Sequence, residues 1–139
     1  MDILSLPFNR RIGLARSDRA DALLSLPDDP SYGNHLGTVH AGALLALAEN
    51  TSGEYLLRAF PALPFPVIPV VRRVEAKFRR PARGAVHSRA DTPAPALAEF
   101  LSTLLARGRS RIEIPVSVHD TSGTEVLSAT VEWYVAKAE

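Results

Sequence analysis

A carboxylate at Glu49 directly follows an apolar run, Ala41 to Ala48, that is interrupted only by Gly42. The run begins behind a polar, glycine-broken turn that carries Asn34 and His40. If the run is a helix, the N–H groups at its start lack partners and carry partial positive charge. The backbone N–H of Ala41 or Gly42 is then a natural donor to a developing oxyanion. Glu49 would act as general base on a water, or attack a carbonyl directly to form an anhydride. Asn34 would position water or substrate through its amide. His40, at the helix start, is expected to orient the turn rather than to transfer protons. Together these groups offer what attack of water on a carbonyl needs: a polarised carbonyl, a base or nucleophile and control of water.

Spacing adds a constraint. Glu49 lies eight residues after Ala41, about 12 Å along a helix axis. One carbonyl cannot touch both ends of that span, so the spacing hints at a site shared between chains. Each residue also has a plainer role open to it. Glu49 could simply mark where the helix meets solvent, which is the favoured reading on the residue alone. Asn34 could be a turn residue making local bonds. Thr51 and Ser52 could line a pocket or bond back to the helix, and bonding back is favoured.

Other chemistries find little support. The chain has no cysteine, which removes disulfides and thiolate sites. His35, His87 and His119 have no metal-ligand spacing with any acid, so no metal is expected. No Gly-X-Ser-X-Gly or phosphate-loop pattern occurs. Arg72, Arg73, Arg79, Arg80 and Arg83 form the densest basic cluster. It is either a solvated strand face and turn or a grip on phosphates, which arginine holds through forked hydrogen bonds. No aromatic residues interleave with it as a nucleic-acid surface would require.

The elements that must position these residues follow from pattern. A chain of 139 residues with 46% hydrophobic and 22% charged residues is expected to form one domain, residues 1–139, with a real core. A net charge of +1 gives no global pull toward nucleic acid or an acidic membrane. No apolar stretch is long enough to span a bilayer, and the N-terminus lacks the order of a signal peptide; the expected location is the cytoplasm. Residues 1–10 predict a short helical arm stopped by Pro7. Strands are expected over 11–16 and 20–26, then a helix from Ala41 to Leu57. A strand follows from Val67 to Arg80, with Val74, Ala76 and Phe78 on its buried face. Residues 85–90 predict a strand and 96–107 an amphipathic helix closed by Gly108. Strands over 110–119 and 124–135 are joined by a hairpin turn at Asp120–Gly123.

One buried helix within a mainly antiparallel sheet is an α+β arrangement. The order resembles a hotdog fold, in which the sheet wraps a central helix, here with an extra helix inserted between the late strands. Asn34, then His40-Ala41-Gly42, then Glu49 resembles the N…H-G-G…D/E pattern of acyl-CoA thioesterases of the phenylacetate-pathway type. The spacings of fifteen from Asn34 and eight from Ala41 match. GAVHSRA and SVHDTSGTEVLSATVEWYV look like that family's closing strands. Ala41 replaces the family's first glycine, and Glu49 stands where aspartate is common, so the chain looks like a divergent branch.

The resemblance implies an acyl-CoA thioesterase working at a dimer interface, with the acid supplied by the second subunit of a homodimer or dimer of dimers. Coenzyme A thioester would be substrate, and no cofactor is implied. In the resembled fold the turn after the long strand lies near the nucleotide, which makes Arg79, Arg80 and Arg83 candidates for its phosphates. Thr51 and Ser52 are further candidates on the substrate side. Alternatives are a non-catalytic acyl-CoA or lipid-binding protein, with Glu49 structural, and a dehydratase or hydratase, which usually pairs a histidine with an acid.

Overall fold

In a computed structural model that describes all 139 residues, six strands form one antiparallel sheet. They are β1 (Ala15–Arg16), β2 (Leu24–Leu26), β3 (Val67–Phe78), β4 (Val86–Ala90), β5 (Arg109–Asp120) and β6 (Glu125–Lys137). Their order across the sheet is β1-β2-β4-β5-β6-β3. Three helices accompany them: α1 (Pro7–Arg11), α2 (Ala41–Ala59) and α3 (Ala94–Arg107). α2 lies against β2, β4, β5 and β6, and Leu44, Leu47, Ala48 and Leu56 enter the core there. Ile112, Ile114, Val116 and Val118 of β5 alternate inward to meet them.

β5 and β6 extend one or two residues beyond their expected ends and pair along nearly their whole length. The turn between them is held by Asp120, whose Oδ1 accepts from Ser122 N–H and Thr124 N–H at 3.0 Å each. α3 starts two residues early, because Pro95 is tolerated in a first helical turn where no N–H is needed. Gly108 ends it at φ 69°. α3 closes the end of the core beyond α2: Leu104 is fully buried, and the Phe100 ring lies 6.2 Å from that of Phe60.

The N-terminal third departs from expectation. Pro7 starts a helix rather than stopping one, since its missing N–H is no loss at the first position. Arg11–Arg16 is therefore mostly not strand. Gly13 at φ 67° turns the chain out of α1, and only Ala15–Arg16 pairs. The partner strand contracts to Leu24–Leu26.

β3 holds a second correction. A bulge between Val71 and Arg73 inserts Arg72, so Val71 opposes Trp133 and faces the same side as Val74. Val74, Ala76 and Phe78 do share the inward face, opposite Val131, Ala129 and Leu127. They are not buried: α2 does not reach them, and Val74 and Phe78 are 39% and 48% exposed. β3 is thus a long edge strand with an uncovered apolar stripe. No helix is long and apolar enough to cross a membrane.

Candidate active site

The loop before α2 is built around Asn34. Its Oδ1 accepts the N–H groups of Leu36 and Thr38 at 2.9 and 3.0 Å, and its Nδ2 donates to Thr38 Oγ1 at 2.8 Å. Three of the amide's four bonding positions serve the loop, leaving one N–H. Val39 N–H and His40 N–H then bond to the carbonyls of Ala82 and Tyr32, fastening the loop to the β3–β4 connection and to the segment before it. Arg83 Nη1 donates to the Gly37 carbonyl at 3.0 Å from that same connection.

His40 caps α2. Its Nδ1 accepts the Gly42 N–H at 2.8 Å, the service an asparagine or serine N-cap performs for about 1 kcal/mol. The approach is close: a Cβ on Gly42 would stand 3.1 Å from that nitrogen, so a larger residue would push the ring back by a few tenths of an ångström. The Gly42 N–H is therefore spent. The Ala41 N–H donates to no protein acceptor and is exposed at the positive end of a 19-residue helix. Between the two candidate oxyanion donors, the geometry leaves Ala41 free.

Glu49 lies two turns on. Its carboxylate makes no hydrogen bond or ion pair with any side chain, and burial pushes its pKa above the ordinary carboxylate range. It lines an apolar recess of about 180 Å³ together with Asn50, Gly53 and Trp133. The backbone behind it is braced: Trp133 Nε1 donates to Ser52 Oγ at 2.8 Å, and Ser52 Oγ donates to the Glu49 carbonyl at 2.6 Å. Thr51 Oγ1 likewise donates to the Leu47 carbonyl at 2.8 Å. Both hydroxyl residues are fully buried and bond back to the helix in this chain. Trp133, Asn50 and Gly53 carried no sequence signal, because they meet Glu49 only through helix phase and sheet register.

The arginines differ in commitment. Arg79 is tied to Ser128 at 2.9 Å and Glu125 at 3.2 Å. Arg83 holds the loop before α2. Arg80 is exposed and makes no side-chain bond. Two open hollows of about 830 Å³ each are larger than the recess. One is lined by outward-facing Glu75, Lys77, Ser117 and Thr130, the other by groups between α3 and β5; neither includes Glu49. No group of three or more histidine, aspartate or glutamate side chains is placed to hold a metal ion.

Solved structures share this fold. A protein of unknown function from Pseudomonas aeruginosa, named a probable thioesterase, superposes with TM-score 0.79 at 26% identity, over 96% of this chain and 89% of that one. A thioesterase from Haemophilus influenzae gives 0.67 at 18% identity, over 96% and 85%. A Bacillus halodurans protein crystallised with CoA gives 0.64 at 20%, over 81% and 65%. The fold is thus the α+β hotdog fold of a group whose members include named thioesterases. No curated protein matches the sequence. Residues 11–135 match the family described as a domain of unknown function, DUF4442, and the chain belongs to that family.

Proposed function

We propose that this protein is an acyl-CoA thioesterase whose active site is completed by a second copy of the chain. The observation that carries the reading is Glu49: an unpaired, partly buried carboxylate beside an apolar recess, on a helix whose first N–H is free. Burying a carboxylate without a partner is costly, and such perturbed groups cluster at functional sites. Glu49 acts as general base on water or as nucleophile toward the thioester carbonyl. The Ala41 N–H receives the oxyanion. Asn34 keeps one amide N–H for the substrate or water. Arg80, uncommitted, and Arg83, beside the loop, reach for the coenzyme A phosphates.

Distance and surface both favour two copies. Ala41 and Glu49 of one helix are about 12 Å apart, too far for a single carbonyl. β3 offers the second copy an unpaired edge of 12 residues, with Val74 and Phe78 uncovered on its inward face. An unpaired edge is a surface on which another chain can pair, and on β3 the stretch past the bulge, Val74–Phe78, is the part free of proline and bulge. In this reading β3 pairs with its symmetry mate, and the Glu49 of one protomer serves the carbonyl held at the Ala41 N–H of its partner. This matches the branch the sequence resembles, the phenylacetate-pathway-type thioesterases. The test is free-thiol release from acyl-CoAs. Turnover by wild type and its loss in Glu49→Gln supports the reading. Binding without release of thiol by wild type replaces it with an acyl-CoA carrier.

A further inference from the structure

The N-terminal segment is latched over the site. Asn9, almost wholly buried, donates from Nδ2 to the Ile3 carbonyl at 2.9 Å and to Asn50 Oδ1 at 2.6 Å. One turn along α2, Glu54 takes the Arg16 guanidinium, which also reaches Asp2 at 3.4 Å. Residues 50 and 54 share one helix face, so both latches pull the segment onto the same stripe of α2. Beneath it lies the recess of about 180 Å³ beside Glu49.

Met1, Ile3 and Leu6 wall this recess on one side and Trp133 on another. Trp133 is held by its bond to Ser52, so the ring is not free to swing. Gly53 lets the ring lie close to α2: a Cβ there would stand 3.2 Å from Trp133 Cζ2 and would push ring and helix apart, reshaping this wall of the recess. An apolar cavity of about 150 Å³ holds one benzene molecule, so this recess has room for little more.

We propose that this recess is the acyl pocket, that it takes a compact acyl group of about six to eight carbons, and that the N-terminal segment is the wall setting that limit. The proposal rests on the thioesterase reading for the ligand being a thioester. It makes Ile3, Leu6 and Gly53 specificity-determining residues. A branched or cyclic acyl group fits; a long straight chain meets the segment.

Calorimetric titration of Glu49→Gln protein with butanoyl-, hexanoyl-, benzoyl-, octanoyl- and dodecanoyl-CoA tests this without turnover. Affinity is expected to rise to about eight carbons and then fall tenfold or more at dodecanoyl. Adding Ile3→Ala or Leu6→Ala should remove that penalty. Leu6 is 39% exposed, so its truncation probes the wall without disturbing the core. Adding Gly53→Ala should weaken benzoyl-CoA about tenfold while sparing butanoyl-CoA. Affinity that climbs smoothly with length, or a break that no variant moves, overturns the proposal even if wild type hydrolyses thioesters. A movable break in a protein that releases no thiol overturns the hydrolase reading and leaves the recess assigned.

Discussion

Glu49 and Glu54 occupy one helix, five residues apart, and their surroundings are opposite. Glu54 is the more buried, with its side chain 8% exposed, yet it is fully answered by Arg16 and by Arg58 at 2.8 Å. Glu49 is only partly buried, and no cation or hydrogen-bond donor answers it. A buried charge that is paired and hydrogen-bonded belongs to the architecture. A partly buried charge left unpaired, with an opening beside it, is held available. Depth alone would have selected Glu54; partnership selects Glu49.

Exchanging the two carboxylates for amides breaks or sharpens this contrast. Glu49→Gln is expected to lower kcat/KM on the preferred acyl-CoA by about 100-fold or more, the scale of a general base. Glu54→Gln should leave it within a few-fold once folding is allowed for. Equal losses would erase the distinction. At the far end of the site, Ala41→Pro deletes the free N–H alone. Proline is accepted at the first helical position, and His40 already has the extended ψ of 138° that a following proline requires. A loss of about 10²–10³ in kcat with an unchanged melting temperature is expected.

Stability should invert the ranking. Glu54→Gln strands two half-exposed arginines and should cost about 1–2 kcal/mol, read from denaturant unfolding. Glu49→Gln should stabilise at neutral pH. The folded pKa of Glu49 is raised, so its contribution is present below the unfolded value of about 4.3 and is lost as pH rises through the folded one. The melting-temperature gap between Glu49→Gln and wild type should therefore open between acidic and neutral pH. The smallest effect is kinetic: the acid limb of kcat/KM should lie above the range of an exposed glutamate, because Glu49 must be ionised to act.

Much of this was legible in residue order. The all-apolar run of Ala41–Ala48 and the alternation of β5 and β6 announce a buried helix and half-buried strands, and Gly108 marks an end correctly. The Asn34–His40–Gly42–Glu49 spacing pointed to the helix that carries the candidate site. Other features depend on contacts between distant residues. The bulge at Arg72 and the uncovered face of β3 depend on pairing with β6 and on how far α2 reaches. The Asn9–Asn50 and Arg16–Glu54 latches join residues 41 and 38 positions apart, and no local pattern marks them. Which helix N–H stays free was decided by the His40 ring, whose direction a sequence does not state.

The central claim, that one site draws on two chains, is tested most directly by complementation. Ala41→Pro and Glu49→Gln chains, each inactive alone, are co-expressed with different tags, and the mixed dimer is assayed for thiol release. A shared site places both lesions in one of the two sites and leaves the other intact, so the purified mixed dimer should show about half of wild-type activity. Mixed dimers that are as inactive as either parent would contradict the account.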